Sequence, residues 1–315
     1  MTATTPAEEA TRPTAPAPPA WLPLAAVGVT LVLWASAFVA IRHLAGTFGA
    51  GSLSLGRLLV GSVCLGVVAL SRGLPRPSGR QWAALVTIGV LWFGVYNVAL
   101  NAGEQHVDAG TAVMLIQVSP VLVALLAATF LHERFTAHLA VGLGLAFAGI
   151  ALIATASSDD GGDRSVLGVL LCLLSAAVYS VSLVLQKPLV AALPAIHVTW
   201  LACTIGAVVC LPFAGQLVGD VRDASVSDVW WVVYLGVFPT AIAFTTFAYA
   251  LRTMTASNLG VTTYLVPPIT IVMGWLLLGE TPPTMAYVGG VLALVGVGVA
   301  RRKPRTLADE APAPA

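Results

Sequence analysis

The chain has 315 residues, 58% of them hydrophobic and 9% charged, with a formal net charge of +1 and a mean hydropathy of +0.91. Soluble domains carry about 25% charged residues, so a water-soluble globule is excluded and lipid must solvate much of the surface. The near-zero net charge says nothing about nucleic-acid or acidic partners, and no nucleic-acid partner is expected; the useful charge signal is where the lysines and arginines lie.

Residues 1–20 form a Pro/Ala/Thr-rich tail with no charged n-region followed by a short apolar run, so they read as disordered rather than as a signal peptide. Crossing a bilayer takes about 20 apolar residues, and ten segments qualify. They run from about Trp21 to Ile41, Ala50 to Leu70, Trp82 to Ala102, Asp108 to Leu131 and Ala137 to Ala156. An acidic connector follows at 157–165, SSDDGGDRS. The second set runs from about Val166 to Gln186, His197 to Val218, Val229 to Leu251, Ala256 to Leu278 and Thr284 to Ala300. Residues 301–315 are basic and then resemble the N-terminal tail. The expected fold is an all-α membrane protein: a tail at 1–20, a five-helix unit at 21–156, the connector, a second five-helix unit at 166–300, and a tail at 301–315.

The two units are copies. Ala109–Glu133 and Ala256–Glu280 are both apolar, both break at proline (Pro120 and Pro267), and both end on a glutamate 13 residues later. At the same shift of 147 residues Leu131 meets Leu278, Gly142 meets Gly289 and Gly149 meets Gly296. Trp34 and Tyr179, and Arg42 and Lys187, match at a shift of 145. Five helices is an odd number, so the second copy enters the membrane from the opposite side. That is the inverted-repeat architecture of carriers that work by alternating access. With the N-terminus inside, eleven basic residues (Arg12, Arg72, Arg76, Arg80, Arg134, Lys187, Arg252, Arg301, Arg302, Lys303, Arg305) fall on the cytoplasmic side against Arg42, Arg164 and Arg222 outside. The positive-inside rule therefore places both termini in the cytoplasm.

These motifs carry a family resemblance. LWASAFVAIR in the first segment, GRLLVGSV in the second, SPVLVALLAATFLHER and VPPITIVMGWLLLGE make the chain similar to EamA-type members of the drug/metabolite transporter superfamily. The resemblance spans about Leu24–Ala300. It implies a ten-helix carrier in the cell membrane, often an exporter of amino acids or related compounds, with a cavity between helices one, three, four, six, eight and nine. Tyr179 departs from the tryptophan common at that position.

Such a carrier makes no covalent bonds. It needs polar groups that replace substrate hydration, and polar side chains inside a membrane usually face the bundle interior. Gln117 precedes Ser119-Pro120, and Tyr264 is its repeat equivalent before Pro267; both are substrate-contact candidates. The prolines mark helix bends and free the carbonyls near Ile116 and Thr263. Tyr96, Asn97 and Asn101 line one face of the third helix, either as cavity residues or as an interhelical clamp. Phe244 and Tyr249 on the eighth helix lie at comparable depth. Trp34, Ser36 and Tyr179 are candidates for the cavity wall, with plain packing as the alternative. Arg57 lies within the second helix, where it binds an anion or serves the structure. Glu133 and Glu280 end their helices; terminus geometry is the favoured role and a gate or proton-sensing carboxylate the alternative, which leaves proton coupling open.

Four cysteines (Cys64, Cys172, Cys203, Cys210) fall in apolar segments without metal-ligand spacing, and the five histidines do not cluster, so no metal or cofactor is expected. No nucleophile–base pair at membrane depth points to an enzyme. No Asp or Glu lies in the middle of any segment, which disfavours a proton-exchanging carrier of lipophilic cations. The sequence-level reading is a secondary transporter, an exporter by resemblance, of small polar or zwitterionic metabolites such as amino acids. A drug-efflux carrier and then a channel stand as alternatives, and the oligomeric state is open.

Overall fold

The structure, a computed structural model, describes residues 21–130, 163–253 and 262–300, together with Leu259 and separate positions between 137 and 152. Glu133 lies outside the described residues, as do both tails and most of the connector. Every regular element among the described residues is helical.

Helix α1 spans Trp21–Leu44 and α2 spans Ala50–Ser71. Helix α3, Gly79–Gly103, begins at Ser78, whose hydroxyl and the Gln81 side chain form a capping box. A broken pair follows, α4 at Ala109–Ile116 and α5 at Ser119–Phe130. Helix α6 is Asp163–Ala192 and α7 is Ala195–Val209. Helix α8, Ala214–Asp223, is bent by 52° from α7. Helix α9 runs through Val226–Leu235, Gly236–Ile242 and Ala243–Thr253. Helices α10, Val266–Leu278, and α11, Thr284–Ala300, complete the set.

Five helices among the described residues are long and apolar enough to cross a membrane, and six if α7 and α8 form one span. The expected fourth and ninth segments are both interrupted at their prolines. Pro120 and Pro267 have no N–H for the α-helical ladder. The chain leaves α-helix at Gln117–Val118 in one copy and passes through a single 3₁₀ turn, Thr263–Leu265, in the other. The seventh segment, expected as one helix to Val218, instead turns at Cys210, where Pro212 sits in the 3₁₀ turn Leu211–Phe213. Helix α8 then packs over the start of α2, where the Asp220 carboxylate accepts from the Gly49 N–H at 3.0 Å and from the Ser52 hydroxyl.

The outward surface is apolar. Val63 and Val67 on α2, Leu170 on α6, Trp275 and Leu276 on α10, and Val291 on α11 are all exposed, Val67 to 69%. Rows of this kind are a liability in water and are satisfied by acyl chains.

The interior repeats the sequence symmetry. The α3 stretches Gly79–Ile88 and Gly89–Val95 recur 147 residues later as Val226–Leu235 and Gly236–Ile242 in α9, and the caps Ser78 and Ser225 recur at the same shift. Glycines let the backbones approach where these helices cross. A Cβ at Gly206 of α7 would collide with Phe93 and lie 3.1 Å from the Gly89 carbonyl oxygen of α3. In the other copy a Cβ at Gly61 of α2 would lie 3.2 Å from the Gly236 carbonyl oxygen of α9.

Candidate functional site

The middle thirds of α3 and α9, Gly89–Val95 and Gly236–Ile242, are wound as π-helix. The Tyr96 N–H reaches back five residues to the Leu91 carbonyl, and the Ala243 N–H does the same to Phe238. A π turn inserts a residue and leaves carbonyls without their α-helical donors, and it recurs at functional sites. Side chains supply the missing donors. The Asn97 amide donates to the carbonyls of Trp92 at 3.2 Å and Phe93 at 2.9 Å. In α9 the Thr240 hydroxyl donates to the Leu235 carbonyl at 2.8 Å and accepts from Nε and Nη2 of Arg57, each at 3.2 Å. Asn97 and Arg57 are therefore both buried and both engaged in holding a bulge.

The bulges turn aromatic rings toward one another. Trp34 of α1 packs on Phe247 at 4.8 Å and on Phe244 at 5.5 Å between ring centroids. Trp92 of α3 meets Phe244 at 5.2 Å and Tyr179 of α6 at 5.0 Å, and Phe93 meets Phe244 at 4.9 Å. Tyr96 and Tyr179 stand 6.3 Å apart. The structure thus brings the predicted residues Trp34, Tyr96, Tyr179 and Phe244 into one cluster. It adds Trp92, Phe93 and Phe247, which are buried and which apolar periodicity alone does not separate from packing residues. The cluster holds one unmet donor: the buried Trp34 indole N–H has no hydrogen-bond partner among the described residues. Such a group costs stability unless something accepts from it.

A separate cavity of about 340 Å³ lies between α1, α9 and α10 and shares no lining residue with this cluster. Ser36, Val39, Ser227, Trp230, Trp231, Tyr234, Met273 and Leu277 line it. Its polar element is the pair of Ser36 Oγ and the Tyr234 hydroxyl, 2.7 Å apart. Ser36 is the one predicted residue that lines this cavity. Tyr234 was missed because it sits in an apolar run, and its signal is the aromatic series Trp230, Trp231 and Tyr234 along one helix.

The other predicted residues sit elsewhere. Gln117, buried at the α4–α5 break, donates from Nε2 to the Thr263 carbonyl at 3.0 Å. That carbonyl lies four residues before Pro267 and is one that the proline cannot serve. The equivalent carbonyl in the first copy, Ile116, accepts from the Ser119 hydroxyl. Tyr264 is half-buried against the core next to Thr263, and Tyr249 is half-buried on α9. Asn101 reaches α2, donating to the Ser54 hydroxyl at 2.9 Å and the Ala50 carbonyl at 3.3 Å. Glu280 accepts from Arg42 Nε through both carboxylate oxygens at 3.0 Å, tying the end of α10 to α1. No group of three or more His, Cys, Asp or Glu that could hold a metal occurs among the described residues.

Known sequences match both halves of the chain. The profile of the "EamA-like transporter family" fits residues 21–155 and again residues 166–302. The chain belongs to this family. It is similar to a "Probable terminal-alkyne amino-acid exporter" of Streptantibioticus cattleyicolor, with 38% identity over 289 residues, which is 92% of this chain and 96% of that one. It is also similar to the "Uncharacterized transporter YdfC" of Bacillus subtilis, with 32% identity over 84% of this chain and 86% of the relative. A solved crystal structure superposes with a TM-score of 0.61 at 20% identity, covering 89% of this chain and 96% of its own; that likeness speaks to the fold. The protein is thus an EamA-type transporter of the drug/metabolite superfamily, a multi-pass membrane protein whose business is moving a solute.

Proposed function

We propose that this EamA-type transporter is a secondary carrier that exports small amino acids or their derivatives, by alternating access between two inverted five-helix repeats with both termini in the cytoplasm. The observation that carries the reading is the aromatic cluster of Trp34, Trp92, Phe244 and Phe247 with its unmet indole N–H, two of whose helices, α1 and α9, also carry the Ser36–Tyr234 hydroxyl pair. Aromatic walls suit a short apolar side chain. A neutral N–H donor and hydroxyls suit a zwitterion's carboxylate without demanding a net charge. The relative named as an exporter of terminal-alkyne amino acids, alike over almost its whole length, supports the same substrate class, since an alkyne is slim, apolar and π-rich. The shift of 147 residues that relates the two copies supports two-fold related hinges.

The test is counterflow in proteoliposomes with short aliphatic and alkynyl amino acids, compared with lipophilic cations. The expected result is exchange of the amino acids, with KM raised severalfold by Trp34→Phe, which keeps the ring surface and removes the N–H. Exchange of lipophilic cations with none of amino acids would replace this reading by drug efflux. An unchanged KM in Trp34→Phe would remove the indole from the substrate site.

A further inference from the structure

At the end of α3 the chain buries an acid that the substrate site does not use. Glu104 is the C-cap of α3, one residue beyond the span Gly79–Gly103, and its N–H donates to Leu100 at 2.9 Å. Its side chain is 0% exposed, and neither carboxyl oxygen has a hydrogen-bond partner among the described residues. Cations stand nearby, yet each is held by another group. Arg42 donates from Nε to Glu280 and from Nη1 to the backbone carbonyl of Glu104, at 3.0 Å in each case. Arg57, from α2, donates to Thr240. Asp108, at the start of α4, accepts from the Thr111 N–H at 2.9 Å and the Thr111 hydroxyl at 2.5 Å. The remaining titratable neighbours are Tyr96 on α3 itself, Cys172 on α6 and Glu280 at the end of α10.

An ionised carboxylate in this place would have lost its water and gained no donor, which is the most costly arrangement a buried acid can take. The neutral acid avoids that cost. Burial pushes the Glu104 carboxyl well above the usual carboxylate range; the charges of Arg42 and Arg57 oppose this, and those of Asp108 and Glu280 add to it. We propose that Glu104 is a proton-binding site whose occupancy holds this end of the bundle closed, with Arg42 linking the ends of α1, α3 and α10 around it. When these ends part, the carboxyl meets water and the freed Arg42, and it releases its proton. The reaction is that of one carboxylic acid giving one carboxylate and one proton.

The sign follows from linkage. The acid's affinity for protons is higher closed than open, so closure is favoured at low pH and lost as pH rises through the closed-state value. The inference rests on the alternating-access reading above, in which this end faces outward. An acidic exterior then closes the emptied carrier and resets it for another export cycle.

Double electron–electron resonance on the full chain in nanodiscs tests this, with spin-labelled noncanonical residues in place of Thr47 and Thr281, which are exposed at this end. In the wild type the ratio of short to long distances is expected to fall by up to about tenfold per pH unit over the transition, the limit for one proton. Glu104→Gln, neutral and nearly isosteric, is expected to stay at the short distance at every pH, and Glu104→Asp to retain a transition. A flat wild-type titration overturns the proposal, and so does a Glu104→Gln protein that titrates like the wild type. If Glu104→Gln does not fold, the wild-type titration and the infrared stretch of a protonated carboxyl in the closed protein still decide; absence of that stretch overturns the proposal. None of these readouts needs substrate. Failure of amino-acid exchange with the pH response intact would remove the proposed substrate and leave this site standing.

Discussion

Replacing Gln117 by leucine tests whether the amide serves the hinge at Pro267. The Gln117 Nε2–Thr263 O bond is buried and 3.0 Å long. The Thr263 carbonyl also accepts from the Val266 N–H in the 3₁₀ turn, so the substitution leaves a weakened acceptor rather than an orphan. Hydrogen bonds between helices in a membrane measure about 0.6 kcal/mol on average and about 1.7 at most, so the expected loss is about 0.6–1.5 kcal/mol. At roughly 2 °C per kcal/mol for a chain of this size, thermal unfolding in detergent should fall by about 1–3 °C. Pro267→Ala is the control, because it restores an N–H four residues beyond Thr263 and makes the Gln117 amide redundant. In that background Gln117→Leu should cost less than about 0.3 kcal/mol, giving a coupling of about 0.3–1.5 kcal/mol between residues that share one carbonyl. Two losses that simply add would show that Gln117 and Pro267 act independently and would refute the reasoning.

Asn101→Leu removes the donors that join α3 to Ser54 and Ala50 of α2. The Ser54 hydroxyl keeps its own bond to the Ala50 carbonyl at 2.7 Å, so the expected cost is about 0.6–1.5 kcal/mol, read as a lower Tm with amino-acid exchange intact; an unchanged Tm with exchange lost would move Asn101 from clamp to cavity. The excess of basic residues supports the proposed cytoplasmic placement of both tails. Epitope tags at either end should therefore resist protease in intact cells and be cut after permeabilisation, and cleavage of either tag in intact cells would reverse the orientation.

Much of the plan was legible because it depends on composition and spacing. The apolar surface, the paired prolines and the 147-residue shift can all be read off the chain, and the helix breaks fall just before Pro120 and Pro267, where a missing N–H requires them. The π bulges were legible only in part. GVLWFGV reads like an α-helical run, whereas GVFPTAI carries Pro239, which has no N–H for the Leu235 carbonyl and so marks a break in the ladder; the close crossings of Gly89 with α7 and of Gly236 with α2 appear only in the fold. The bulges change the meaning of the polar residues around them. Asn97 looks like a cavity residue when four-residue spacing places it beside Asn101, yet it serves carbonyls that the π turn in its own helix releases. Trp92, Phe93 and Phe247 were passed over because in an apolar segment an aromatic in the cluster and one packed against lipid look alike. Ser78 and Ser225 were a further repeat signal, available at the same shift.

Glu104 shows a different limit. A glutamate one residue past a helix reads as a loop acid at the membrane surface, where charges are cheap, and only the packing of α1, α4, α6 and α10 around it removes its water. The repeat then makes it more informative. Most of the hinge machinery occurs twice: prolines at 120 and 267, π turns at 89–95 and 236–242, and glycine crossings in both copies. The position 147 residues after Glu104 is Leu251, and the one after Asp108 is Thr255. Two-fold related hinges by themselves make opening to either side equivalent and give no preferred direction. An acid present in one copy and absent from the other breaks that equivalence, because protons then bias one closure and not its counterpart. Under the proposed export against a more acidic exterior, the proton-dependent step proposed at Glu104 falls on the side where the substrate has just been released.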